Sequence, residues 1–300
     1  MNLSSFNYHL DPARIAQFPA KPRDHARLLV VLKNNNQFEH VVFKDLINYL
    51  KPGDLLVLND SKVIPARLIG KKDTGGKVEI LLLQKIKELA KGEIWEAIGK
   101  GKNINPRLEI IFSSTFKARV ISYADGLMRL SFNCSGTTFQ KKLNRYGEMP
   151  LPPYIHSLGK ALDKVNYQTV YAARAKGASV AAPTAGLHFT PRLLKAIRAK
   201  GIKIAKVTLH VGLGTFRPIK VTDIRKHKMH AEWASVSAKT IEQILKTKKQ
   251  GGRVIAVGTT SVRVLETAIK KPNIKKLGWS GLTNIFIYPP YKFKLVDNKL

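Results

Sequence analysis

Hydrophobic positions follow two different patterns along the chain, and each pattern predicts a different fold. In residues 1–64 and 148–300, short apolar runs alternate with amphipathic stretches. Strand, short loop and helix in this order are typical of α/β proteins, whose sites lie at the carboxyl ends of the strands. The pattern predicts strands at 27–33, 38–43, 54–58, 202–211, 253–257 and 284–288, and helices at 45–51, 190–200, 237–250 and from 258 to 271.

The stretch from 65 to 147 has a different pattern. Five short strand-like runs follow one another at 77–83, 94–98, 107–112, 116–123 and 127–133, and the only amphipathic helix follows them. The dipeptide Asp125-Gly126 is a strong hairpin signal. We therefore predict an α/β protein with a barrel-like main domain, residues 1–64 and 148–300, and an inserted small antiparallel β-barrel domain, residues 65–147.

Charge adds a possible partner to this picture. The 300 residues contain 52 Lys and Arg against 20 Asp and Glu, a net charge of +32. Such a chain is attracted to polyanions through the release of counterions, and RNA is the first candidate. The alternative is that lysine, which outnumbers arginine, is spread over solvated faces through genome composition. Charge alone does not identify the nucleic acid.

The amino terminus and the cysteine content favour a cytoplasmic protein. Residues 1–10 do not have the basic and apolar regions of a signal peptide, and no apolar run approaches the ~18–20 residues of a membrane span. Cys134 is the only cysteine, so an internal disulfide is excluded. We expect a protein of the reducing cytoplasm that does not interact with membranes.

Three glycine- and hydroxyl-rich clusters stand where an α/β enzyme places its site. They are 182–189, 210–217 and 258–263. Glycine lets main-chain amides approach a ligand, and Thr or Ser hydroxyls can bind ribose or carboxylate oxygens. Taken singly, each cluster could be an ordinary tight turn with capping hydroxyls. Three such clusters on successive units favour a binding site.

Common nucleotide motifs are missing from these clusters. Gly212 and Gly214 begin a dinucleotide pattern, but Arg217 stands where the third glycine is required. The phosphate-binding loop of ATPases and GTPases has no match either. Neither a dinucleotide cofactor nor nucleotide hydrolysis is therefore indicated.

His227, His230 and Glu232 admit two interpretations. Their spacing is a weak metal signal, since it lacks a second Glu-x-x-His element or a cysteine partner. A histidine and a carboxylate that transfer protons fit the spacing better. We expect no bound metal. The basic stretch 14–27 is either a phosphate-contacting surface or a solvated face.

Taken together, these motifs resemble those of a known enzyme family. The matching segments are 16–19, 22–24, 52–60, 63–68, 75–79, 151–155, 167–171 and 229–233, together with the three clusters at 182–189, 210–217 and 258–263. The string Ala-Pro-Thr-Ala-Gly-Leu-His-Phe at 182–189 is the most specific of them. Up to about Tyr291, the chain is similar to the S-adenosylmethionine:tRNA ribosyltransferase-isomerases of queuosine biosynthesis.

The resemblance implies both a fold and a reaction. The fold is an α/β barrel with a small inserted β-barrel. In the reaction, the ribosyl moiety of S-adenosylmethionine moves to the 7-aminomethyl-7-deazaguanine base at the wobble position of tRNA. The products are epoxyqueuosine-tRNA, adenine and methionine. The resemblance implies no metal and no cofactor beyond the co-substrate S-adenosylmethionine. We expect a monomer, although no residue pattern in the chain bears on the oligomeric state.

Site residues follow from positions within the matching motifs. His188 and His230 are the candidate proton-transfer groups, and Glu232 is expected to orient one of them. The candidates for binding S-adenosylmethionine are Gly212, Gly214, Thr215, Gly258, Thr259 and Thr260. The candidates for binding a carboxylate or the tRNA backbone are Arg23, Arg217 and Arg263.

Two departures from the family pattern leave an alternative open. Pro290 stands where the family usually has glycine, and the family usually continues for a few dozen residues beyond Leu300. We therefore expect a truncated chain, and the alternative is a non-catalytic tRNA-binding remnant of the enzyme. A methyltransferase, another class of S-adenosylmethionine user, has no support because the glycine loops do not fit a Rossmann-type site.

Overall fold

The computed structural model describes residues 1–32, 37–124, 126–157, 159–173, 177–212, 214 and 219–300. The chain divides into two compact units. The main unit comprises Met1–Lys62, Gln168–Lys176 and Ala182–Leu300, and the barrel unit comprises Val63–Tyr167 and Gly177–Ala181. Residues 148–167, which we assigned to the main domain from sequence, fall within the barrel unit.

The described residues form sixteen strands and six α-helices. In chain order the strands are β1 (Arg27–Leu32), β2 (Gln37–Val42), β3 (Leu55–Asn59), β4 (Lys62–Val63), β5 (Arg67–Lys72), β6 (Lys77–Leu89), β7 (Gly92–Lys100), β8 (Glu109–Ser113), β9 (Phe116–Ala124), β10 (Leu127–Phe132), β11 (Gly177–Ser179), β12 (Lys203–Leu209), β13 (Glu232–Val236), β14 (Val254–Ala256), β15 (Trp279–Thr283) and β16 (Asn298–Lys299). The helices are α1 (Gly136–Tyr146), α2 (Lys160–Asn166), α3 (Pro191–Ala199), α4 (Ala238–Lys249), α5 (Gly258–Ala268) and α6 (Ile274–Leu277). Short 3-10 helices include Arg23–His25, Phe43–Tyr49 and Thr184–His188.

A six-stranded mixed sheet organises the main unit, in the order β15-β13-β12-β3-β14-β16. Strands β12, β3, β14 and β16 run parallel, whereas β13 and β15 are antiparallel to their neighbours. All five residues of the central strand β3 are buried, as expected for a strand whose two faces are both covered. The predicted α/β class is confirmed.

Helices α3 and α4 begin where the sequence supplies capping side chains. Thr190 accepts a hydrogen bond from the amide of Leu193 at 3.1 Å and precedes Pro191, the first residue of α3. Ser237 caps α4 in the same way through the amide of Thr240. Helix α3 buries Leu193 and Ile197 on one face against the core of the main unit.

The strand predicted at 284–288 is wrong. Strand β15 ends earlier, at Thr283, because the five residues of β13 pair with Trp279–Thr283 and the ladder ends there. The apolar run that follows, residues 285–287, lines a pocket instead. A short apolar run in the sequence does not distinguish a strand from a pocket wall, because both structures bury the side chains of such a run.

The barrel unit contains a closed antiparallel barrel of six strands, in the order β10-β7-β6-β5-β8-β9. The predicted antiparallel β-barrel is confirmed, and β5 is the strand that the sequence pattern did not indicate. In β5, Gly70 faces inward, and a Cβ there would lie 2.8 Å from Ile110. Because the narrow interior admits only glycine at that point, the strand lacks one of its apolar signals.

Helix α1 completes the core of the barrel unit. Phe139 and Leu143 are buried on its inner face, and the Phe139 ring stacks on Trp95 at 5.5 Å. Phe116 and Phe132 lie in the same aromatic cluster. No helix within the described residues is both long enough and apolar enough to cross a membrane.

Candidate functional site

Parallel strands of the main sheet direct their carboxyl ends toward one edge. Strands β3, β12 and β14 are followed there by Asp60, His210 and Gly258. In α/β sheets this edge is where ligands bind, because loops and helix amino termini converge on it.

A cavity in this region lies against helix α5, and we call it the α5 pocket. Its volume is about 620 Å³. Helix α5, strand β13 and the carboxy-terminal segment supply its walls. The lining residues include Val211, Glu232, Thr259, Thr260, Val262, Arg263, Ile285, Phe286, Ile287, Phe293 and Val296. Just over half of the lining residues are apolar, and the polar ones lie on α5, at the start of β13 and at the carboxy-terminal residues Asp297, Asn298 and Lys299.

Gly258 sets the start of α5 at the edge of the sheet. Its φ angle of +79° lies in the left-handed region, which favours glycine. Its amide donates to the carbonyl of Leu300 at 2.7 Å. A Cβ at this position would lie 3.5 Å from Ala185, so the turn that carries His188 lies close to the start of α5. Thr259 and Thr260 follow directly and line the pocket.

Glu232 and Arg263 form a buried ion pair on the pocket wall. The carboxylate accepts hydrogen bonds from the Arg263 guanidinium and, at 2.7 Å, from the amide of Gly212. Arg263 also donates to the carbonyls of Ile285 and Thr283. The two charges neutralise each other, and the guanidinium joins β13, α5 and residues 283–285. We predicted that Glu232 would orient a histidine and that Arg263 would bind an anion; in the structure they bind each other.

His188 lies in a different environment, at the end of the Thr184–His188 turn. Its ring is 5.2 Å from that of Phe43. Burial lowers the pKa of the His188 imidazole, and the nearby Arg23 lowers it further. The side chain is therefore neutral at pH 7 and available as a proton acceptor. Arg23 is itself half-buried, donates to the carbonyl of Gln168 at 2.5 Å and has its pKa lowered by burial.

His230 lies near the second glycine cluster. It is half-buried, and its Cβ is 3.3 Å from the position that a Cβ on Gly214 would take. Thr215 and Arg217, which we predicted to bind S-adenosylmethionine and a carboxylate or tRNA, lie outside the described residues. Among the described residues, no group of three or more His, Cys, Asp and Glu could hold a metal ion.

The structure thus places most of the described site residues in two groups, whereas His230 and Gly214 lie against each other and belong to neither. Glu232, Thr259, Thr260 and Arg263 line the α5 pocket, and Gly212 contacts it through Glu232. His188 and Arg23 form a second group. This group lies near the start of α5, because Ala185, in the same turn as His188, lies close to Gly258.

Sequence reasoning missed the apolar wall of the pocket and the support of the His188 turn. Phe286 and Phe293 stand in runs without a recognisable motif. Tyr171 belongs to a matching segment, but only the structure shows that its hydroxyl lies against Gly186 of the turn. No local pattern predicts either arrangement, because each joins segments that are far apart in sequence.

Comparisons with known proteins agree on one family. A family model described as queuosine biosynthesis protein matches residues 3–300. The chain is 51% identical to the S-adenosylmethionine:tRNA ribosyltransferase-isomerase of Thermosipho africanus and 48% identical to that of a Sulfurihydrogenibium species. Each match covers 99% of this chain and 85% of the relative. A crystal structure of S-adenosylmethionine tRNA ribosyltransferase from Thermotoga maritima is 33% identical over 98% of this chain and 82% of that one, with a TM-score of 0.48.

Proposed function

Because the chain belongs to the family of queuosine biosynthesis proteins, we propose that it catalyses the reaction for which its relatives are named. It is a ribosyltransferase-isomerase that transfers the ribosyl moiety of S-adenosylmethionine to tRNA. The acceptor is the 7-aminomethyl-7-deazaguanine base at the wobble position, and the products are epoxyqueuosine-tRNA, adenine and methionine. The observation that carries this proposal is 51% identity over 99% of the chain.

The α5 pocket is the proposed binding site for S-adenosylmethionine. Its apolar wall, with Phe286 and Phe293, suits the flat adenine ring. Thr259 and Thr260 offer hydroxyls to the ribose. The Thr260 hydroxyl is buried and has no hydrogen-bond partner among the described residues, a condition that a bound ligand would relieve.

The Glu232–Arg263 pair has a structural part in this proposal. Since each charge is bound by the other and by main-chain groups, neither is available as a free acid, base or anion receptor. The pair instead holds the wall of the pocket in place at no net charge. This refines the sequence-based roles of Glu232 and Arg263.

His188 is the proposed proton-transfer group, with Arg23 beside it. The sulfonium of S-adenosylmethionine acidifies the adjacent C5′ hydrogens, so a neutral base can remove one and adenine can leave. A neutral imidazole meets this requirement, and the lowered pKa of His188 keeps it neutral. Arg23 would attract an anionic group of a substrate. His230, near Gly214, remains the second candidate for proton transfer.

The test is the release of adenine from S-adenosylmethionine. Purified protein is incubated with S-adenosylmethionine and tRNA that carries the aminomethyl-deazaguanine base, and adenine is quantified by chromatography. We expect adenine only when this tRNA is present. The variant His188→Ala should lose at least about 100-fold in kcat, the size of a general-base contribution. His9→Ala, which removes an exposed histidine, is the matched control.

Two other outcomes would point to the alternatives. S-adenosylhomocysteine as product would indicate a methyltransferase and refute the proposal. Folded protein that binds tRNA but releases no adenine would support the non-catalytic remnant. Cytoplasmic location, a monomeric state and independence from any cofactor beyond S-adenosylmethionine remain predictions.

A further inference from the structure

Glu266 is a completely buried carboxylate on helix α5, below the α5 pocket. It accepts hydrogen bonds from three consecutive main-chain amides, those of Lys294, Leu295 and Val296, at 3.0 to 3.2 Å. The hydroxyl of Tyr291 donates to the same carboxylate at 3.3 Å. Within the described residues, Glu266 forms no ion pair with a Lys or Arg.

Such an arrangement stabilises a charge through main-chain dipoles. Successive amides that point at one carboxylate form an anion-binding concavity, and hydrogen bonds to a charged acceptor are among the strongest in proteins. The burial of an unpaired carboxylate would otherwise be costly. Glu266 therefore fixes the conformation of residues 291–296 more tightly than apolar packing alone would.

Residues 291–296 form a wall of the α5 pocket. Phe293 and Val296 line the cavity together with side chains of the helix that carries Glu266. The segment continues into β16, and the carbonyl of Leu300 accepts from the amide of Gly258. Residues 294–296 of the wall are thus bound to Glu266 near the end of α5, and Leu300, which follows the wall, is bound to Gly258 at the start of the helix.

We propose that Glu266 is a positioning residue that sets the width of the α5 pocket and thereby the affinity for S-adenosylmethionine. It acts through the segment 291–296 and does not touch the substrate. The inference rests on the proposed function, since it takes S-adenosylmethionine as the occupant of the pocket.

The test is the variant Glu266→Gln, with Glu242→Gln on the exposed face of α4 as the matched control. The variant removes the negative charge and puts an N–H donor where Oε2 accepts from Lys294 and Tyr291. Its carbonyl oxygen can still accept from the amides of Leu295 and Val296, but these hydrogen bonds become weaker because the acceptor is no longer charged. We expect the Kd for S-adenosylmethionine, measured by calorimetry, and its KM to rise about tenfold. The KM for tRNA and kcat at saturating S-adenosylmethionine should stay within about twofold, because the chemistry and the tRNA contacts are untouched. Hydrogen exchange at the amides of 294–296 should become faster.

Several outcomes would overturn the proposal. Faster exchange at 294–296 with an unchanged Kd would show that the wall does not control affinity. Equal losses in kcat and in both KM values would indicate a general structural defect. If Glu266→Gln does not fold, Tyr291→Phe removes one donor and should raise the Kd about two- to threefold; an unchanged Kd there would refute the inference.

Phe293→Ala separates this inference from the proposed function. Phe293 lines the pocket and is half exposed, so its truncation should weaken S-adenosylmethionine binding without unfolding the protein. If Phe293→Ala weakens binding and Glu266→Gln does not, the positioning role alone fails. If neither variant changes the Kd, S-adenosylmethionine binds elsewhere, and the pocket assignment and the inference fail together.

Discussion

At the scale of single residues, the turn that carries His188 depends on a contact between Gly186 and Tyr171. The Tyr171 hydroxyl occupies the space into which a Cβ on Gly186 would project, and Thr169 Cγ2 would lie 3.0 Å from that Cβ. Burial raises the pKa of the Tyr171 phenol, and the charge of Asp60 raises it further, so the hydroxyl is neutral. Position 186 therefore requires glycine because Tyr171 leaves no room for a Cβ, and not because of the backbone conformation of Gly186.

We expect Gly186→Ala to destabilise the protein by about 1–3 kcal/mol, the usual cost of overpacking. In a Tyr171→Phe background the same change should cost less, because the colliding oxygen is gone. Denaturant unfolding of the wild type, both single variants and the double variant measures the coupling. Equal costs in both backgrounds would show that the two residues do not interact as the structure indicates.

The protonation of His188 gives a second test at this scale. Since burial and Arg23 lower its pKa, an NMR titration should place it below the ordinary value of about 6.5. Arg23→Gln should raise the pKa, whereas Arg14→Gln, at an exposed arginine, should not. A pKa in the Arg23 variant equal to that of the wild type would remove Arg23 as a cause.

The direction of the linked pH effect follows. The folded state binds the proton of His188 more weakly than the unfolded state does. The contribution of the neutral His188 side chain to the free energy of unfolding is therefore fully present above about pH 6.5. It declines as the pH falls toward the lower pKa that His188 has in the folded state. His188→Gln should flatten this part of the stability profile, and an unchanged profile would contradict the assignment.

At the scale of secondary-structure elements, Asp54 holds the strand β3 in place at the start of the central sheet. It is buried and accepts from the amide of Lys51 and from the guanidinium and amide of Arg253. Burial acts to raise the pKa of Asp54, but the hydrogen bonds from Arg253 and Lys51 outweigh it, so the pKa lies below its usual range. Arg253 also donates to the carbonyl of Tyr49 at 2.8 Å, so the Asp54–Arg253 pair joins the Phe43–Tyr49 helix to the starts of β3 and β14.

Replacement of Asp54 by Asn should lower the free energy of unfolding by about 1–3 kcal/mol, since it breaks hydrogen bonds to a charged group. Arg253 is partly exposed, which keeps the expected loss below that of a fully buried pair. The difference in the free energy of unfolding between the wild type and Asp54→Asn should be present above about pH 4. It should disappear as the pH falls through the lowered pKa of Asp54 in the folded state. Chemical denaturation at pH 7 and pH 3 measures this stability difference, with Glu242→Gln as the control. A stability difference that does not depend on pH would contradict the ion pair between Asp54 and Arg253.

At the scale of the whole molecule, the net charge of +32 should dominate tRNA binding. Each phosphate neutralised contributes roughly −0.7 to −0.9 to the slope of log K against log salt. We expect the tRNA affinity to fall steeply between 50 and 200 mM salt, while the affinity for S-adenosylmethionine, bound in an apolar pocket with a neutral ion pair, stays nearly constant. Filter binding and calorimetry at several salt concentrations measure the two slopes. A shallow tRNA slope would show that the lysines are a solvated surface without a role in binding.

Features that depend on neighbouring residues could be predicted from the amino-acid sequence. Apolar runs with their flanking turns predicted β3, β12 and β14, and Thr190 and Ser237 marked the starts of α3 and α4. These signals are local, because a cap or an alternating pattern acts over about one helical turn or one strand. The antiparallel barrel was predictable for the same reason, since its strands follow one another along the chain. The domain boundaries remain a prediction.

Contacts between groups that are distant in sequence could not be predicted in this way and are seen only in the folded chain. The Glu232–Arg263 pair and the binding of Glu266 to the amides of 294–296 join segments about 30 residues apart. Long-range packing also explains why residues 285–287 form a pocket wall, although the pattern predicted a strand there. It explains Gly70 as well, because the barrel interior has no room for a larger side chain at that position. A side chain's type limits the contacts it can make, but long-range packing selects the contact, because burial leaves each polar group only the partners that the fold brings within reach.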